Sequence, residues 1–248
     1  MNHLLIVDDD AAFCEIITDY LKPEEFKITL IHSGTDALQH VLACEVEYDL
    51  ILLDTTLSGM NGFEVLQRIR SRINTPVILL SDTNRKIDRI VGLEIGADDL
   101  LAKPCDPREL LATVRAIFRR TQTTHKDQVK PVHEKIAVGD IALDTVNRGV
   151  FRNGEEIRLT PVEFLFLETL LREAGNLVTR GQLARRVLGR DLCACGRSMD
   201  IHLSRLRKKL GHKCNGVERI RTVRGVGFIY KIPIPFESVS KNSAQRQT

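Results

Sequence analysis

Three carboxylates, a hydroxyl and an ammonium group are spaced along this chain so that together they could carry out phosphoryl transfer. Asp8 and Asp9 follow the apolar run from Leu4 to Val7, and Asp54 follows the run ending at Leu53. Ser81 follows Pro76 to Leu80, and Lys103 follows Leu100 to Ala102, just ahead of Pro104. Each therefore sits where a short strand ends. In a parallel sheet neighbouring strands lie about 4.8 Å apart and their carboxyl ends converge, so the three carboxylates crowd together unless a cation neutralises them. Oxygen ligands select a hard ion, Mg2+, which keeps a position for a phosphoryl oxygen. Lys103 can then pair with a transferred phosphoryl group, to which the Ser81 hydroxyl donates a hydrogen bond.

A doubly wound parallel sheet must position these residues. The apolar runs alternate with helical patterns at Ala11 to Leu21 and Gly62 to Ile73, with Gly34, Gly92 and Gly96 as punctuation. Residues 1–118 hold 20 acidic and 11 basic side chains, a net charge of −9, whereas residues 136–232 hold 18 basic and 10 acidic, a net charge of +8. The two halves therefore suit different partners, and the basic one suits nucleic acid. Residues 121–134 lack apolar periodicity and are expected to form a flexible linker between domains at 1–120 and 135–232, with 233–248 a disordered tail. No run of 18 apolar residues exists, so membrane insertion is not expected and a cytoplasmic location is. There, Cys14, Cys44, Cys105, Cys193, Cys195 and Cys214 are expected as reduced thiols.

In the basic half, Ile136 to Leu143 and Gly149 to Leu159 alternate like strands around the turn pair Asn153-Gly154. Thr160-Pro161-Val162-Glu163 has the form of a helix start. Further helical stretches are expected near Thr179 to Val187 and Arg197 to Leu210, before a β pattern from Ile220 to Ile232. Along Arg197 to Leu210, the apolar stripe is Met199, Leu203, Leu206 and Leu210, which places Arg197, Ile201, Ser204, Arg205 and Lys208 on the opposite face. Basic groups mixed with one aliphatic side chain suit base reading in a major groove.

The segments VDDD, LLDTTLSGMNGFEVL, VILLS and GADDLLAKP resemble the receiver domain of response regulators, and LTPVEFLFLETLLREAGNLVTRGQL with IRTVRGVGFIYKI resembles the output domain of the OmpR/PhoB family. The resemblance spans nearly the whole chain apart from the linker and tail. It implies a flavodoxin-like (CheY-like) doubly wound five-stranded parallel sheet, followed by an α+β winged helix-turn-helix domain. It implies that Asp54 is the phosphoacceptor and attacks a phosphohistidine on a sensor histidine kinase. Asp9 would bind Mg2+ directly and Asp8 through water, and Thr56 would offer its backbone carbonyl. No enzymatic activity is implied beyond the receiver's own phosphorylation and dephosphorylation. By the same resemblance Thr222 and Arg224 hold DNA phosphates with support from Arg207, and His202 lies near promoter DNA or else packs inward. Arg89, Asp98, Asp99, Glu109 and Arg115 either pair across the two-fold axis of a phosphorylated homodimer or form a solvated face. Contact with RNA polymerase is implied as well.

Several positions depart from the family pattern. Asp82 stands where a small residue usually follows the hydroxyl, Leu100 replaces an aromatic switch residue, and Cys105 replaces a phenylalanine. Ser58 replaces a proline, Thr113 a basic residue and Phe228 a tyrosine. A carboxylate about 7 Å from the phosphoryl group costs about 0.6 to 2.4 kcal/mol, so slower phosphorylation is one reading of Asp82 and an outward, solvated side chain the other. The alternative function is a constitutive DNA-binding regulator with a degenerate receiver. Cys193 and Cys195, expected in the loop before the reading helix, are either free loop thiols or, with His212 and Cys214, a metal or redox switch.

Overall fold

The computed structural model describes residues 1–43, 47–83, 85–122, 134–188 and 192–233, with backbone alone at 120–122 and 192–197. Most of the expected linker and tail thus lies outside the described residues. The chain divides into two compact units, Met1–Asp127 and Gln128–Thr248, apart from the short segment Thr160–Val162. Each is described by itself.

In the first unit the apolar runs become β1 (His3–Val7), β2 (Lys27–Ile31), β3 (Leu50–Asp54), β4 (Val77–Ser81) and β5 (Asp99–Ala102). They form one parallel sheet in the order β2-β1-β3-β4-β5. The central strands are buried on both faces, which is why they are unbroken apolar runs and not alternating ones. The crossovers carry α1 (Ala11–Leu21), α2 (Gly34–Ala43), α3 (Gly62–Ile69) and α4 (Lys86–Ile95), and α5 (Pro107–Gln122) follows β5. Leu4, Ile6, Ile17, Leu52, Leu80 and Val114 belong to one continuous core between the sheet and α1 and α5.

The register sets the pocket. Val7 pairs with Leu53, so Asp8 and Asp54 end neighbouring strands at the same level, and Ser81 pairs with Ala102, just before Lys103. Gly62 lets the chain after β3 turn back closely, because a Cβ there would fall 1.9 Å from the Asp54 carbonyl oxygen. The third aspartate of the run, Asp10, caps α1 by accepting a hydrogen bond from Phe13 N at 3.0 Å.

The second unit opens with a four-stranded antiparallel sheet, β6 (Lys135–Val138), β7 (Ile141–Asp144), β8 (Val150–Arg152) and β9 (Glu155–Glu156). Asn153 and Gly154 turn the last hairpin with φ of 52° and 87°, the left-handed pair that a mirror-image two-residue turn needs. Next come α6 (Pro161–Arg172), β10 (Val178–Thr179), α7 (Arg180–Leu183) with a π turn at Ala184–Leu188, and α8 (Leu192–Leu210). Thr179 and Gln182 form a reciprocal capping box on α7. The pair β11 (Lys213–Cys214) and β12 (Val217–Glu218) leads to β13 (Ile220–Val223) and β14 (Gly227–Tyr230), which form a hairpin joined by β10.

α8 starts at Leu192, five residues before the expected Arg197. The expectation that Cys193 and Cys195 lie in a loop is therefore corrected: their backbone is helical, since the segment has no proline and Gly196 costs a helix only about 1 kcal/mol. The side chains of Cys193, Cys195 and Arg197 fall outside the described residues. Cys14, Cys105 and Cys214 are free thiols.

Arg219, 4% exposed, forms a two-pronged ion pair with Asp140. This guanidinium holds the Asp140 carboxyl down at about 2, below its ordinary value of 3.8. A carboxyl depressed on folding adds stability above its unfolded value and loses it as pH falls through the folded one. About 2 kcal/mol should therefore disappear between pH 4 and pH 2. The melting-temperature gap between wild type and Asp140→Asn should be full at pH 6 and close over that acid range. A gap independent of pH would show that the pair contributes nothing through ionisation.

Candidate functional site

Asp8, fully buried, and Asp54, 2% exposed, are drawn together by one cation. Lys103 Nζ lies 2.6 Å from Asp8 Oδ2 and 3.0 Å from Asp54 Oδ2, and 4.6 Å above the Phe13 ring. Burial pushes the Asp8 carboxyl up, and the Lys103 hydrogen bond offsets this only in part. For Lys103 burial works downward, but the hydrogen bonds and charge attraction of Asp8 and Asp54 together outweigh it and raise the ammonium above its ordinary value. The lysine therefore remains a cation at any ordinary pH.

Asp9 is exposed beside them, and its Oδ2 accepts from Ser58 N at 2.9 Å. A proline at 58 has no N–H, so this departure from the family pattern supplies a hydrogen bond to the carboxylate. Ligand oxygens of Asp8, Asp9 and Asp54 lie within 4.8 Å of one another. Their all-oxygen character and the acid excess over a single lysine fit a hard divalent cation. Ser81 is buried and its Oγ donates to Thr83 O at 3.1 Å. Thr56 directs its hydroxyl to Asp82 and lies 3.4 Å from Asp54 Oδ1. Asp82 therefore borders the pocket, although it is exposed.

In the second unit the buried stripe of α8 lies as expected: Met199, Leu203, Leu206 and Leu210 are fully buried. The opposite face is narrower than the sequence suggested. Ser204 and Lys208 are exposed, but Ile201 is 9% exposed and His202 1% exposed. The His202 ring lies 5.9 Å from that of Phe166, centre to centre. Both residues pack inward and are withdrawn as DNA contacts.

Arg205 is likewise corrected from base reader to anchor. Its Nη2 lies 3.2 Å from Oε1 of Glu163, which is fully buried and is also held by Lys209 at 2.7 Å. Arg207 bonds Ile220 O at 2.8 Å and Thr222 Oγ1 at 2.7 Å, tying α8 to the β13–β14 wing. Thr222 and Arg224 are exposed on that wing. Sequence reasoning missed Glu163 as an ion-pair hub and Arg180 as a clamp. Arg180 bonds Asp200 Oδ1 at 2.6 Å and lies 5.0 Å from the Phe228 ring centre. No spacing rule signals either contact, because the partners are far apart in sequence.

Residues 4–115 match the response regulator receiver domain, and residues 154–230 match the C-terminal domain of transcriptional regulatory proteins. The transcriptional regulatory protein CpxR of Escherichia coli (strain K12) is 36% identical over 233 residues, with 92% of this chain and 98% of the relative covered. The chain belongs to the OmpR/PhoB family of response regulators. It is a two-component transcriptional regulator, with a receiver and a DNA-binding output domain. The DNA-binding response regulator MtrA of Mycobacterium tuberculosis (strain CDC 1551 / Oshkosh) is 39% identical over 227 residues, 92% of this chain and 96% of the relative. A solved RitR mutant shares the fold at TM-score 0.72 and 24% identity, over 93% of this chain and 99% of that one. No described helix is long and apolar enough to cross a membrane.

Of the charged residues expected at a dimer axis of this response regulator, Arg89, Asp99 and Arg115 have partners within the receiver, as does Asp98, which is buried. Asp98, with its side chain 1% exposed, pairs with Arg70 at 3.0 Å and accepts from Val77 N at 2.9 Å. It braces the amino-terminal ends of β4 and β5, so it is withdrawn as an interface residue. Arg89 pairs with Asp99 at 3.3 Å within the receiver and donates to Leu100 O at 3.0 Å. Arg115 pairs with Glu24, beyond the end of α1, at 2.6 Å. Glu109 is exposed, and Thr113 is buried with its hydroxyl on Glu109 O at 3.0 Å.

Proposed function

We propose that Asp54 accepts a phosphoryl group from a sensor histidine kinase of the CpxA type, and that this modification promotes receiver dimerisation and sequence-specific DNA binding. The observation that carries the reading is the fixed cation over a buried carboxylate pair: Lys103 within 3.0 Å of both Asp8 and Asp54. Such an ammonium is preorganised for a transferring phosphoryl group and needs no rearrangement to meet its charge. Asp8, Asp9 and Asp54, with the Thr56 carbonyl, would hold Mg2+, which when bound offsets charge on the transferred group. Asp54 supplies the nucleophile. Ser81 leaves Thr83 and turns its hydroxyl to the new phosphoryl oxygens. Loss of the phosphoryl group by hydrolysis resets the receiver.

Arg89, Asp99, Glu109 and Arg115 remain the candidates for pairing between receivers, through exchange of their internal partners, each pair being worth about 0 to 1 kcal/mol. On DNA, Ser204, Lys208 and Arg197 are assigned to the groove. Thr222 and Arg224 are assigned to phosphates, Thr222 keeping its own O–H to donate while it accepts from Arg207. The protein acts in the cytoplasm at promoters, in contact with RNA polymerase. Incubation with labelled phosphodonor and Mg2+ should label wild type on an acyl phosphate and leave Asp54→Asn unlabelled. Equal labelling of both would place the acceptor elsewhere.

A further inference from the structure

Asp82 directly follows the Ser81 hydroxyl at the mouth of the pocket and accepts a hydrogen bond from the Thr56 hydroxyl. The same hydroxyl oxygen is 3.4 Å from Asp54 Oδ1. A hydroxyl has one proton, so Thr56 serves Asp82 over the shorter contact and presents lone pairs to Asp54. The two carboxylates thus face one another across a single oxygen atom, about 6 Å apart or less for two such contacts in series. The other Asp54 oxygen, Oδ2, is held by Lys103 at 3.0 Å. The lysine thus covers one side of Asp54 while a fixed negative charge flanks the other.

We propose that Asp82, held in place by Thr56, determines donor specificity: it disfavours small, freely diffusing phosphodonors of high negative charge relative to a phosphoryl group delivered by a docked protein. The inference rests on Asp54 being the phosphoacceptor. In the transfer, an Asp54 oxygen forms the bond to phosphorus as the bond from phosphorus to the donor breaks, and the electron pair leaves with the donor. The leaving group is acetate from acetyl phosphate, or imidazole, which takes a proton from solvent, from phosphohistidine. A unit charge at about 6 to 7 Å slows the approach of each further unit of like charge by roughly 3- to 100-fold for effective dielectrics of 80 to 20. A docked kinase can offset this with contacts remote from the reacting atoms, whereas acetyl phosphate has none.

The test measures phosphorylation rates of the full-length chain with Mg2+ from three donors: acetyl phosphate, the less negative phosphoramidate, and a phosphohistidine kinase that acts on wild type. Asp82→Asn, which keeps shape and removes charge, should speed transfer from acetyl phosphate about tenfold, from phosphoramidate about threefold and from the kinase less than about twofold. Added salt should accelerate the acetyl phosphate reaction of wild type more than that of Asp82→Asn. Thr56→Val, which frees Asp82 from its tether, should fall between the two. An equal change with all three donors, or none, on a chain still labelled at Asp54 would overturn the inference alone. Labelling at a residue other than Asp54 would overturn it together with the proposed function.

Discussion

Lys103→Ala is expected to slow phosphorylation of Asp54 by about 100- to 1,000-fold while leaving the receiver folded. Removal of one preorganised donor from a site where charge develops costs about that much in rate. Lys103 fits the role closely, since its side chain is 10% exposed and its Nζ is held by both buried carboxylates. The same substitution deletes the cation that neutralises Asp8 and Asp54, so these carboxylates should draw a divalent ion at least as strongly as in wild type. Titration calorimetry with Mg2+ then separates the roles: binding retained or tightened, transfer lost. Lys103→Arg should rescue little, because a planar fork cannot fit the compact ammonium position. A Lys103→Ala rate within threefold of wild type would remove Lys103 from the reaction.

Glu163→Ala should destabilise the DNA-binding domain by about 3 kcal/mol, the low end of the range for removing one partner from a buried ion pair. Glu163 is fully buried, whereas the Arg205 and Lys209 side chains are 11% and 32% exposed, so the stranded cations can partly reach water. Because this cluster fixes α8 against α6, Arg205→Ala should also lower stability, with base preference unchanged among molecules that remain folded. Hydrogen exchange at the amides of α6 and α8 in the full chain reads the loss directly. A Glu163→Ala loss under about 1 kcal/mol, or a relaxed base preference for Arg205→Ala, would return Arg205 to the reading surface.

The acidic pocket was legible because strand ends in a parallel sheet must converge, and the register placing Asp54 beside Asp8 and Lys103 beside Ser81 follows from where the apolar runs stop. The reading face of α8 was only half legible. A helical wheel separates one buried stripe from everything else, but Phe166 and Glu163 of α6 also meet His202 and Arg205, and Ile201 is buried too, which leaves Ser204 and Lys208. Asp98 misled for a related reason. In sequence it is an acid in a turn, and its partner Arg70 lies 28 residues away. Asp82 gave a sequence signal by departing from a pattern, but only the Thr56 bridge turns it toward the pocket.

The most direct test of the central claim is affinity for a selected operator, with and without phosphodonor and Mg2+, for wild type and Asp54→Asn. A donor-dependent gain is expected in wild type and its absence in Asp54→Asn. Strong binding by both proteins, unchanged by donor, would contradict it and identify a constitutive regulator whose receiver no longer switches.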